Sequence, residues 1–122
     1  MISNATIERI LQFRDERNWI QFHTPKDLAI SIVLEASELL ENFQWTKERD
    51  DVPERAKELE EELADVLMYC VYMADVLGLD MDDILNSKLE KNKAKYPVEA
   101  SYGNSRKYSE FGSKLNDNIQ QH

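Results

Sequence analysis

Glycine, proline and cysteine are scarce in this chain: 122 residues hold three, three and one. So few breakers, set against a stretch from 24 to 95 dominated by Leu, Glu, Lys and Ala, work against a turn-rich β fold and predict an all-α protein. The lone Cys70 excludes an intramolecular disulfide, and its place within the apolar run 67–73 marks it as a small core residue. Long apolar runs are missing, and the amino terminus lacks the basic stretch and apolar core of a signal peptide. A cytoplasmic location with no membrane partner is therefore expected. Positive charge is short as well, with 15 Lys and Arg against 24 Asp and Glu, a net −9. Such a balance disfavours a nucleic-acid polymer, whose binding draws on clustered cations. It also repels any phosphate-rich small ligand, unless divalent cations stand between the two sets of negative charge.

The length fits one domain, read as residues 1–111 with a polar, flexible tail at 112–122. A first helix is predicted to start after Ser3 or Asn4, with Ile7, Ile10 and Leu11 at helical spacing, and to fade near Asn18. Residues 18–23 read as a connection, with a heavy aromatic load in Trp19, Phe22 and His23. Thr24 then reads as an N-cap, with Pro25 at the first helical position and Asp27 completing a capping-box-like pattern, for a helix reaching about Phe43. Asp51, with Glu54 three residues on, reads as the cap of a third helix running from about Pro53 to Leu77, where Gly78 stops it. Asp80 and Asp83 repeat the signal for a fourth helix, which Pro97 ends after about Lys95. In the third helix Leu63, Val66, Leu67, Met68, Val71 and Leu77 belong to an apolar set that covers most of the circumference. A helix apolar nearly all round should be buried nearly all round. Four helices cannot easily do that alone, so the expected architecture is a four-helix bundle completed by homo-oligomerisation, as a dimer or tetramer.

Two pairs of carboxylates carry the chemistry. Glu35 and Glu38 are three residues apart on one face of the second helix, and Glu62 and Asp65 repeat that spacing on the third. Glu35 falls beside the apolar stripe of Leu28, Ile32 and Leu39, and Asp65 interrupts an apolar run. Buried carboxylates are costly unless paired or coordinated, and no Lys or Arg lies between Glu35 and Trp45 or between Lys57 and Asp75. Four oxygen ligands on two helices suit Mg²⁺ or Mn²⁺. Glu58, Glu60 and Glu61 are read instead as an ordinary solvated face. A di-iron bundle needs Glu-x-x-His motifs, and neither His23 nor His122 sits in one. An EF-hand at Asp80 and Asp82 fails for want of the mid-loop glycine.

The pattern Glu35-x-x-Glu38, a spacer, then Glu62-x-x-Asp65 resembles the metal signature of the all-α nucleoside triphosphate pyrophosphohydrolases, the superfamily of MazG and the dimeric dUTPases. Around it stand Arg17-Asn18-Trp19-x-Gln21-Phe22-His23, Phe43-Gln44-Trp45, Lys88-x-x-x-Asn92-x-x-Lys95-Tyr96-Pro97 and Ser105-Arg106-Lys107-Tyr108. Together these are similar to the dCTP pyrophosphatase branch of the MazG-like proteins, over roughly residues 5 to 110. The resemblance implies Mg²⁺ held by Glu35, Glu38, Glu62 and Asp65, with Glu35 or Glu38 as the proton acceptor. It further implies phosphate contacts from Lys88, Asn92 and Lys95, and a base and sugar pocket shaped by Trp19, His23, Trp45 and Tyr69, partly across a subunit boundary. The family usually has glycine where this chain has Ser37, and often arginine where it has Lys95.

Read from the residues, Lys88, Asn92 and Lys95 recur on the side of Ile84, toward the interior, where lysine can act as a point-charge phosphate binder or simply pack its stem. Trp19 and Trp45 fall in loops rather than on an apolar stripe, which favours a stacking pocket over plain core. His23 and Tyr69 fit local packing as well as a base contact. The expected function is Mg²⁺-dependent hydrolysis of a deoxynucleoside triphosphate, dCTP or a relative, to the monophosphate and pyrophosphate, in house-cleaning of the nucleotide pool. A broad MazG-like activity on several triphosphates and a non-enzymatic helical interaction module are the competing readings.

Overall fold

The computed structural model describes residues 2–46, 56–107 and 109–110. All regular structure among them is helical, as the shortage of breakers predicts. Helix α1 (Asn4–Glu16) starts where the Ser3 hydroxyl accepts the Thr6 N–H at 3.2 Å, satisfying one of the orphan donors of the first turn. Ile7, Ile10 and Leu11 are half-buried, in keeping with their spacing. The helix ends as Asn18 takes a left-handed conformation, φ 53°, which a short polar side chain tolerates. The aromatic segment that follows is more ordered than a plain connection, because Trp19–Phe22 wind into a 3₁₀ turn.

Thr24 caps α2 (Pro25–Glu41): its hydroxyl accepts the Asp27 N–H at 3.1 Å and Pro25 stands at the first position, but the return bond of a capping box, from the Thr24 N–H to the Asp27 carboxylate, is not formed. The helix stops two residues before Phe43. Here the Asn42 side-chain amide donates to the carbonyls of Glu38 and Leu39 at 3.1 and 3.3 Å, and residues 42–45 turn away. Helix α3 is described over Ala56–Val76; the caps expected at Asp51 and Glu54, and the start at Pro53, lie outside the described residues. Its end is a Schellman motif, with Leu79 N–H on the Ala74 carbonyl at 2.8 Å and Gly78 N–H on that of Asp75 at 3.0 Å. Gly78, at φ 67°, supplies the left-handed residue that this motif requires.

The chain divides into two compact units, residues 1–81 and 82–122. In the first, α3 packs against α1 and α2 around the buried side chains of Leu28, Val71, Tyr72 and Ala74. Arg14, on α1, is also buried, 3% exposed, and donates to Asp75 on α3 at 2.7 Å and to neighbouring Asp15 at 2.9 Å. Its spacing of seven from Ile7 and three from Leu11 puts it on the apolar face of α1, but its partner Asp75 cannot be read from that spacing.

The second unit carries nearly all of α4 (Met81–Lys95) and a short α5 (Val98–Ser101) that Pro97 starts and the sequence did not announce. The tail read at 112–122 lies outside the described residues. Among the described residues, no helix is long and apolar enough to cross a membrane.

A single chain does not bury α3 all round, as the sequence anticipates for four helices on their own. Leu63, Leu67, Met68 and Leu77 are 38–50% exposed, because α1 and α2 cover only part of its circumference. On α2, Val33, Leu34 and Leu40 are exposed further, to 58–70%.

Candidate functional site

Along α2, Asp27, Ser31, Glu35 and Glu38 recur at spacings of four, four and three, so they line one face. Along α3, Glu62, Asp65 and Tyr69 do the same. The two stripes meet in opposite order: Asp27 and Ser31 share a pocket with Tyr69, while Glu35 meets Glu62 and Asp65. Antiparallel packing of α2 on α3 thus builds a polar line with aromatic groups at one end and carboxylates at the other.

At the carboxylate end, oxygens of Glu35, Glu62 and Asp65 all lie within 4.8 Å of one another. Glu38, which is exposed, lies against both Glu35 and Glu62. Burial first, then a side-chain hydrogen bond with Glu38, and then the charges of Glu38, Asp65 and Glu62, push the Glu35 carboxyl up to about 7. Glu62 is raised for the same reasons, with Glu41 adding to the repulsion. Sequence reasoning missed Glu41, although it follows Glu38 by three residues on the same helix.

One Oε2 each of Glu35 and Glu62 is buried with no hydrogen-bond partner, and among the described residues no ion pair involves Glu35, Glu38, Glu62 or Asp65. Carboxylates crowded in this way without a cation are an unfavourable arrangement. Their donor set is the all-oxygen set that hard divalent ions take. The residues present therefore fit a divalent metal. Asp65, expected to be buried in an apolar run, is exposed in the single chain, because its flank of α3 faces the acidic line rather than the core.

At the other end Trp19, Phe22, His23, Leu28 and Tyr69, with Asp27 and Ser31, line a pocket of about 310 Å³. The His23 ring packs on Tyr72 at 5.0 Å, and Tyr72 meets Tyr69 edge to face at 5.8 Å. His23 Nδ1 is buried with no hydrogen-bond partner. Burial, followed by the nearby Arg14 charge, lowers its pKa, which keeps the imidazole neutral at pH 7. The Trp19 indole meets Phe13 edge to face at 5.6 Å, and the Arg17 guanidinium stacks on Phe13 at 3.7 Å. Three of the four expected pocket residues, Trp19, His23 and Tyr69, come together here. Trp45 stands in the turn after α2, 84% exposed. Ser31 was not expected here and Asp27 was read only as part of the helix cap, although their four-residue steps toward Glu35 are legible in the sequence.

Lys88, Asn92 and Lys95 lie on α4. Their expected inward direction is corrected in part. Lys88 and Lys95 are exposed and only Asn92 is half-buried, while Ile84, Leu85 and Leu89 are themselves 40–53% exposed, so this helix offers no sheltered apolar side for the lysines to share.

Residues 30–111 match the MazG-like family. The dCTP pyrophosphatase 1 proteins of Mus musculus and Homo sapiens are each 40% identical over 106 residues, covering 82% of this chain. The chain spans 62% of the length of these two relatives. The Bos taurus protein of the same name is 37% identical over 119 residues, covering 89% of this chain and 70% of its own. Among solved structures, a pyrophosphatase from Archaeoglobus fulgidus superposes with a TM-score of 0.72 at 43% identity, covering 76% of this chain and 90% of that one.

Proposed function

Because this chain belongs to the MazG-like family, we propose that it is a cytoplasmic, Mg²⁺-dependent nucleoside triphosphate pyrophosphohydrolase that converts dCTP or a related deoxynucleotide to the monophosphate and pyrophosphate. The observation that carries the reading is the carboxylate cluster, with two buried oxygens lacking partners and no cation paired to it among the described residues. Glu35, Glu38, Glu62 and Asp65 hold the metal. A divalent ion there neutralises charge on the phosphate oxygens and lowers the pKa of water in contact with it.

Water adds to the α-phosphorus, the bond to the bridging oxygen breaks, and pyrophosphate leaves. Either Glu35 or Glu38, which lie against each other, takes the proton released by the attacking water. Trp19, His23 and Tyr69 hold the base and sugar in the aromatic pocket. The sequence pattern adds Trp45 to that pocket and Lys88, Asn92 and Lys95 as phosphate contacts. Residues 1–111 form the functional domain.

Pyrophosphate release from a panel of deoxynucleoside and nucleoside triphosphates, with Mg²⁺ and with EDTA, tests the reading. The expected result is metal-dependent release with dCTP at or near the top. Equal turnover of all triphosphates would replace the dCTP preference with a broad activity, and no release from any of them would end the proposal.

The exposed apolar residues of α2 and α3 support a homodimer or homotetramer as the working form. Leaving Val33, Leu34 and Leu40 in water forgoes roughly 1.5–3 kcal/mol for each side chain that a partner would bury. Sedimentation velocity at micromolar concentration should show a dimer or larger species, and a folded monomer would refute the assignment.

A further inference from the structure

The aromatic pocket contains a charged group that stacking does not need. Asp27 lies in the first turn of α2, where its backbone N–H is taken by Thr24, but its carboxylate makes no hydrogen bond or ion pair with another described residue and lines the pocket beside Ser31. Asp27 precedes Glu35 by eight residues on the same face, about 12 Å along the helix axis. A nucleotide whose phosphates reach the carboxylate cluster therefore runs back along α2 and brings its base edge toward Asp27. Two further polar groups line the same pocket: the Ser31 hydroxyl, which donates or accepts, and the buried, unpartnered Nδ1 of His23.

We infer that Asp27 selects the base, its carboxylate accepting a hydrogen bond from the exocyclic amino group of an amine-bearing nucleobase such as cytosine. Uracil and thymine carry a carbonyl oxygen at that position, and an ionised carboxylate, which only accepts, repels it. Asp27 is exposed in the single chain, so its discrimination comes from the hydrogen bond lost and from two acceptors facing each other, rather than from burial. This assignment rests on the reading of the pocket as the base site given above.

The test compares wild type with Asp27→Asn on dCTP and dUTP, which differ at that exocyclic group and at the adjoining N3, an acceptor in cytosine and an N–H donor in uracil. The amide keeps the carboxylate's shape but rotates to offer either an acceptor or a donor. The wild type is expected to favour dCTP over dUTP by about tenfold or more in kcat/KM. In Asp27→Asn that ratio should fall toward one, mainly through a lower KM for dUTP, with melting temperature and Mg²⁺ dependence unchanged. An unaltered ratio in the variant, or a wild type that does not separate the two substrates, overturns the assignment while leaving the hydrolase itself standing. Should no triphosphate be hydrolysed, the pyrophosphohydrolase reading fails, and binding of dCMP against dUMP by tryptophan fluorescence decides the matter for Asp27. A dCMP preference that disappears in Asp27→Asn supports its role, and equal binding by the wild type ends it.

Discussion

Asp65→Asn and Glu38→Gln should each lower kcat for pyrophosphate release by at least about a hundredfold while leaving the helical fold in place. Changes to groups that merely orient metal ligands cost about 10–100-fold, and these two residues are assigned to the metal itself. Both substitutions keep side-chain shape, and both positions are exposed, so a folding defect is not expected to mimic the loss. The same cluster should be visible in stability. The folded-state pKa of Glu35, about 7, stands above its ordinary 4.5, so between those values the native protein holds a proton that the unfolded chain has released. Without metal, stability is therefore highest below about pH 4.5 as far as this group is concerned and is lost as pH rises through 7. Mg²⁺ competes with that proton and binds only the native state, so its stabilising effect should be large at pH 8 and small at pH 5. Melting curves in EDTA and in Mg²⁺ at the two pH values read both effects. Near-normal turnover in both variants, with a Mg²⁺ effect indifferent to pH, would sink the metal site.

Asp75→Ala should destabilise the protein by about 2–3 kcal/mol, and Arg14→Met should cost less. The asymmetry follows from burial. Arg14 is 3% exposed and cannot regain water when Asp75 is removed, keeping only Asp15 as an ionic partner, whereas Asp75 remains wet enough to be solvated when Arg14 is lost. Methionine also preserves most of the apolar stem. The Arg14 guanidinium lies over the Tyr72 ring at 5.9 Å, and Tyr72 in turn supports His23 and Tyr69, so this pair ties α1 to the aromatic pocket as well as to the core. Denaturant melts of the two single variants and the double variant measure the coupling. Equal losses for the two single variants would show that burial of the guanidinium is not what sets the cost.

Local signals were legible wherever a short stretch of chain decides the outcome. Ser3 and Thr24 cap α1 and α2 through side-chain oxygens acting within three residues, and Gly78 ends α3 because its own φ permits the Schellman motif. The all-helical class follows from the same local preferences, summed over a sequence poor in breakers. The two carboxylate pairs were legible as well, since the three-residue spacing fixes each pair on one face and the absence of nearby Lys and Arg leaves them without local neutralisation.

What the sequence could not decide is which faces meet. The spacing of Arg14 puts it on the stripe of Ile7, Ile10 and Leu11 but does not name its partner Asp75, sixty-one residues away, and only the antiparallel register of α2 on α3 places Glu35 beside Glu62 and Asp65 and puts Asp27 in the pocket with Tyr69. Periodicity names the residues that share a face, but the partner of that face is set by long-range packing. For that reason the caps at Ser3 and Thr24, the stop at Gly78 and the acidic pairs were determined by the sequence alone, while the joining of the pairs into one cluster, the alignment of a polar line between carboxylate and aromatic ends, and the pairing of Arg14 with Asp75 were decided by tertiary structure.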